Sequence, residues 1–98
     1  MNIQKNLNAA ELTVTLSGRL DTSTAPQLES ELKASFAGVE TLILDFAELE
    51  YLSSAGLRVL LGAQKTMNKQ GKMIIRHVNE TINEIFDVTG FSDILTIE

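Results

Sequence analysis

The stretch Thr41-Leu42-Ile43-Leu44-Asp45-Phe46 constrains the fold most, because it is almost continuously apolar. Such a run suits a central strand covered on both faces, the setting of parallel sheets. Helical patterns flank it. Upstream, Leu28, Leu32 and Phe36 recur at helical spacing behind Asp21-Thr22-Ser23-Thr24, a segment offering several N-caps. Thr24 and Gln27 have the spacing of a capping box, Pro26 falls in the first turn, and Gly38 stops the helix. Downstream, Leu57, Leu60, Leu61 and Met67 form the stripe of a second helix that begins at Ser53 or Ser54. Arg58, Gln64, Lys65 and Lys69 lie off that stripe, and Gly71 caps the end.

The remaining elements follow from the same periodicities. Ile3 to Leu7 and Leu12 to Ser17 read as a hairpin, the second run alternating Leu12, Val14 and Leu16 with Thr13, Thr15 and Ser17. Asn8-Ala9-Ala10 between them is a poor tight-turn sequence. Met73-Ile74-Ile75 reads as a buried strand. Asn79 caps a third helix with Ile82, Ile85 and Phe86 inward, ended by Gly90 with Phe91 against its last turn. Ile94 to Ile97 is short enough to add only a terminal strand. The order β-β-α-β-α-β-α-(β) predicts a small α/β sandwich: a mixed, mostly parallel sheet with an N-terminal hairpin and about three main helices.

Composition narrows the function. Residues 1–98 make one domain's worth of chain, and 44% hydrophobic with 21% charged residues is the balance of a globular protein rather than a disordered one. Eight Lys and Arg against thirteen Asp and Glu give −5, which argues against nucleic-acid binding and against direct adhesion to anionic membrane. Without Cys there is no thiolate metal site and no cysteine nucleophile. No apolar run approaches the ~20 residues of a membrane span, and Met1-Asn2-Ile3-Gln4-Lys5 does not open as a signal peptide, so the cytoplasm is the expected location. His77 stands alone, with no partner set for a triad or a metal, and reads as structural or solvent-facing. The glycines are scattered, and Asp45, Glu48 and Glu50 read as solvation around a surface loop. The expectation is no enzyme, no metal and no cofactor.

Tyr51-Leu52-Ser53-Ser54-Ala55-Gly56-Leu57 stands out: it follows the central strand and opens a helix with two hydroxyls and two small residues. One hydroxyl suffices as an N-cap, worth ~1 kcal/mol. Ala55 and Gly56 would leave a flat surface around the other, and Gly56, which lowers helix propensity by up to ~1 kcal/mol, suits close approach by another backbone. A phosphoserine here would add roughly −1.5 to −2 charge at a helix N-terminus that accepts it, changing the surface while sparing the fold.

With these residues in view the chain resembles the STAS domains, and among them the bacterial anti-sigma factor antagonists, over essentially its whole length. Gly18-Arg19-Leu20-Asp21-Thr22-Ser23-Thr24-Ala25-Pro26 is similar to the family's segment between second strand and first helix. Leu42-Ile43-Leu44-Asp45-Phe46 is similar to its central strand, and Tyr51-Leu52-Ser53-Ser54-Ala55-Gly56-Leu57 to the motif that follows. The resemblance implies partner switching. The unmodified protein binds an anti-sigma factor that is also a serine kinase and carries its own ATP, a sigma factor is released, and a serine phosphatase reverses the kinase's phosphorylation. By position Ser54 is the acceptor. Ser53 stands where the best-known members have Asp, and is either a rival acceptor or the N-cap. The resemblance places Asp21, Thr22, Ser53, Ala55, Gly56, Leu57 and Arg58 at the partner surface, with Asp21 equally readable as a turn or cap residue and Arg58 as a solvated one. An alternative within the family is a structural STAS subunit of a lipid-transport ATPase complex.

Overall fold

The computed structural model describes residues 1–98. Its elements run β1 (Asn2–Asn8), β2 (Glu11–Leu20), α1 (Ala25–Ser35), β3 (Thr41–Leu52), α2 (Ser54–Gln70), β4 (Lys72–Arg76) and α3 (Glu80–Thr89), then a 3-10 turn at Phe91–Asp93. The strands lie in the order β1-β2-β3-β4. β1 is antiparallel to β2, whereas β2/β3 and β3/β4 are parallel. The result is the mixed, mostly parallel sheet with an N-terminal hairpin and three helices that the sequence predicts. No helix is long and apolar enough to cross a membrane.

All three helices pack on one face of the sheet. Leu12, Val14 and Leu16 of β2, Leu42, Leu44 and Phe46 of β3, and Met73 and Ile75 of β4 share a single core with Leu28 and Leu32 of α1, Leu60 and Met67 of α2, and Ile82 and Phe86 of α3. Right-handed crossovers explain this: β2, β3 and β4 are added in one direction, so each connecting helix returns on the same side. The expectation that β3 is covered on both faces is therefore corrected. Ile43 and Ile74 are 3% and 8% exposed, yet they stand outside the core, side by side in the register on the helix-free face with Thr13 beside them.

β3 also runs further than its apolar stretch suggests. Its pairing with β2 shifts between Thr15 and Ser17 and again between Gly18 and Arg19, leaving an extra β3 residue each time. Those bulges put Phe46, Leu49 and Leu52 inward at three-residue intervals, a spacing that strand alternation does not give. Asp45, Glu48 and Glu50 thus belong to a bulged strand rather than a loop.

Four local expectations change. The hairpin closes with Ala9-Ala10 alone, and Ala9 adopts φ 54, a left-handed conformation costing an L-residue roughly 1–2 kcal/mol. The Thr24–Gln27 capping box does not form: Thr24 is already helical at φ −100, ψ −21 and its side chain caps nothing. Its hydroxyl instead donates to the Arg19 carbonyl at 2.8 Å. Gln64 is buried on α2, its Nε2 bonded to Asn68 Oδ1 at 2.8 Å and its Oε1 without a partner. Finally, Ile94 and Leu95 are drawn into the turn by bonds to the Phe91 carbonyl, so the terminal strand shrinks to a bridge between Ile97 and Ile75.

Gly71 ends α2 for a reason its dihedrals do not show. Its φ of 173 is ordinary extended backbone, but a Cβ there would stand 1.8 Å from the Glu40 carbonyl oxygen. Gly62, on the outer side of the same helix, would bring its Cβ near nothing within 4 Å. Gly71→Ala is expected to lower stability by at least about 1–3 kcal/mol in urea denaturation, and Gly62→Ala to raise it by up to ~1 kcal/mol. Equal effects of the two substitutions would contradict this packing.

Candidate functional site

The β3–α2 junction is held by Ser53. Its N–H donates to the Leu20 carbonyl at 2.9 Å, its own carbonyl accepts from Leu57 N–H at 3.0 Å, and its Oγ accepts from Gly56 N–H at 3.4 Å. Ser53 is thus the N-cap of α2, in extended backbone at φ −96, ψ 174. Ser54 is the first helical residue; it is exposed, and its hydroxyl takes no part in the side-chain hydrogen bonds. Two adjacent serines have divided duties: one ties down the backbone and the other faces solvent.

The bond to Leu20 also brings the β2–α1 segment alongside. Asp21 Oδ1 there accepts from Ser23 N–H at 3.0 Å, Ser23 Oγ at 2.8 Å and Thr24 N–H at 3.1 Å. Ser23's hydroxyl, against a smaller opposing effect of burial and aided by the Thr24 and Ser23 N–H groups, holds the Asp21 carboxyl below its ordinary pKa. The geometry gives Asp21 the turn role, with Oδ2 left 3.7 Å from Arg19 Nε. Thr22, Ala55 and Arg58 meet across the α1–α2 boundary, around a shallow hollow of about 170 Å³ floored by Ala25 and Val59.

Gly56 and Leu57 do not join this surface. Both are buried, and a Cβ on Gly56 would come within 2.7 Å of Leu52 Cδ1 and 2.8 Å of Leu20 Cγ. Gly56 does permit close approach, but to the side chains ending β2 and β3, so its place at the partner surface and that of Leu57 are corrected. A neighbouring pair escaped the sequence reading. The Arg19 guanidinium lies 4.2 Å from the Tyr51 ring centroid, a cation–π contact beside Ser53. Only the bulged register, which sets Arg19 opposite Tyr51, brings them together.

His77 serves elsewhere. Its Nδ1 lies 2.9 Å from Asp45 Oδ1, which also accepts from Ala47 N–H at the first bulge. Burial pushes the Asp45 carboxyl up, but the Ala47 and His77 hydrogen bonds and the charges of His77 and Arg76 together outweigh it, so its pKa is lowered. A carboxyl with a lowered folded pKa stabilises above its unfolded pKa, and that stability disappears as pH falls through the folded value. Urea midpoints should therefore fall on acidification through the carboxylate range, with a shallower fall in Asp45→Asn. A slope in that variant equal to the wild type would contradict the assignment.

Comparison with known proteins agrees with this geometry. A family model for the STAS domain matches residues 1–98. An anti-sigma-B factor antagonist of Staphylococcus epidermidis is 32% identical over 100 residues, covering 94% of this chain and 93% of its own. Among solved structures, an anti-sigma factor antagonist from Mycobacterium paratuberculosis superposes with a TM-score of 0.89 at 23% identity, over 98% of this chain and 83% of that one. The Bacillus cell fate determinant SpoIIAA, in its phosphorylated form, gives a TM-score of 0.77 at 20% identity over 99% of this chain and 91% of its own. With the family model and the staphylococcal relative both spanning nearly its full length, this chain belongs to the STAS domain family, alongside relatives named anti-sigma factor antagonists.

Proposed function

We propose that the protein is an anti-sigma factor antagonist that works by partner switching at Ser54. Unmodified, it binds an anti-sigma factor that is also a serine kinase, and a sigma factor is released. The kinase transfers the γ-phosphoryl group of its own ATP to Ser54 Oγ; ADP leaves and the hydroxyl proton passes to solvent. The modified protein dissociates, and a serine phosphatase restores the hydroxyl. The catalysis belongs to these partners, and the switch operates where RNA polymerase and ATP are, in the cytoplasm.

The observation that carries this reading is the free, exposed hydroxyl of Ser54 next to a serine already committed to the cap. A hydroxyl that ties down no backbone can be modified without unfolding the helix, and the N-terminal N–H groups and macrodipole tolerate the added negative charge. The partner-facing set becomes Thr22, Ala55 and Arg58 around Ser54, with the outer edge of Asp21 and the half-buried Ser53 at its margin. Charge placed against a desolvated interface costs several kcal/mol, and each ~1.4 kcal/mol is tenfold in affinity.

Incubation with ATP and the purified anti-sigma factor kinase of the same organism should add a single phosphate, mapped by mass spectrometry to Ser54 and absent from Ser54→Ala. Ser54→Asp should bind that kinase at least about tenfold more weakly than wild type. Phosphate that persists in Ser54→Ala and vanishes in Ser53→Ala would move the site to Ser53. Wild-type affinity in Ser54→Asp would overturn the electrostatic switch.

A further inference from the structure

The cations of this chain fall into two groups. Lys5, Arg19, Lys33 and Arg76 each sit in an ion pair, with Glu31, Asp21, Glu29 and Glu98 respectively. Arg58, Lys65, Lys69 and Lys72 are exposed and take part in none. Three of these four lie on α2, whose seventeen residues include no Asp or Glu. At 100° per residue, Arg58, Gly62, Lys65 and Lys69 project from one narrow strip of the helix, about 16 Å long from Arg58 to Lys69, with Ser54 at its head. Lys72 follows just past the helix end. The rest of the chain sets the other four Lys and Arg against thirteen Asp and Glu, a balance of −9. The molecule is an acidic body with one unpaired basic ridge.

We propose that this ridge docks an acidic protein surface, and that Ser54 switches the same contact from its end. The inference rests on the partner-switching reading and adds the chemistry of the partner's face. Charge complementarity identifies the occupant: an acidic partner is attracted by the ridge and repelled by the rest of the body, so it is oriented before contact. A membrane fits less well. The large apolar side chains left exposed are Leu7, Tyr51, Val88 and Ile94, none on α2, so the ridge has no anchors to insert. Nucleic acid fits less well too, because a single file of cations on a chain of −5 faces repulsion from the surrounding acids. Gly62 midway along the strip, with open space where a Cβ would stand, lets a partner come close to the helix. Phosphate on Ser54 stands one turn from Arg58, and its charge offsets much of the ridge where docking begins.

The test compares wild type with Lys65→Glu/Lys69→Glu and with Lys65→Gln/Lys69→Gln, all sites well removed from Ser54. Association with the purified anti-sigma factor kinase is measured at low salt and at about 1 M salt, where screening acts within about 3 Å. The reversal variant should associate about tenfold more slowly at low salt, the neutral variant should be intermediate, and the differences should collapse at high salt. Circular dichroism confirms that each variant is folded. Wild-type association by the reversal variant, or a rate insensitive to salt, overturns the ridge while leaving the Ser54 switch standing. No binding by wild type overturns the partner-switching reading itself. Binding of wild type to vesicles of phosphatidylcholine and phosphatidylserine in equal parts, or to a random-sequence DNA duplex, as tightly as to the kinase would overturn the choice of an acidic protein.

Discussion

One backbone hydrogen bond, from Ser53 N–H to the Leu20 carbonyl, decides where β3 stops and α2 starts. With the carbonyl of Ser53 accepting from Leu57 N–H and its hydroxyl oxygen from Gly56 N–H, that residue's backbone and side chain both engage the joint. The side chain of Gly56 must be absent for the joint to close, because Leu20 and Leu52 fill the space. Ser54 is the residue this leaves over. A helix begun one residue earlier or later would turn α2 by about 100° about its axis, swinging the Ser54 hydroxyl and the basic strip together to another face. The junction therefore positions the proposed acceptor and the proposed docking ridge together.

The β-branched and leucine-rich patterns made most of the fold readable, since Leu12, Val14 and Leu16 or Ile82 and Phe86 allow one inward face each. The bulges of β3 were not readable. Phe46, Leu49 and Leu52 lie three apart because two extra residues rotate the strand, and no single periodicity records that. The one-sided placement of the helices was within reach, because strands added in one direction through right-handed crossovers leave no other outcome. The apolar run of β3 pointed the other way, since Ile43 and Ile74 bury each other's flank without a helix above them. At the site, spacing leaves the start of α2 open between Ser53 and Ser54, and the choice of Ser54 comes from the family resemblance. Gly56 is not legible either, because a glycine opening space for a partner and one yielding it to a leucine look alike in sequence. The division of cations into paired and unpaired sets depends on which acids the fold brings within reach, and so appears only in three dimensions.

Electrostatics gives the switch its direction. The acidic body holds its own cations in pairs and leaves the outer face of α2 as the one positive surface. On the proposed reading, a phosphate at Ser54 would need no conformational relay, because the charge it adds would lie on the surface it regulates. Elsewhere the pair of His77 with Asp45 joins the residue after β4 to the first bulge of β3 and ties stability to pH.

On the proposed reading, phosphate on Ser54 rewrites a surface and leaves the fold alone. Amide chemical shifts of the 15N-labelled protein before and after phosphorylation test it most directly. Shifts confined to the first turn of α2 and the neighbouring Asp21–Thr24 turn, with the core strands unmoved, are the expected result. Displaced amides throughout β2, β3 and β4 would contradict the account, since the phosphate would then act by remodelling the fold.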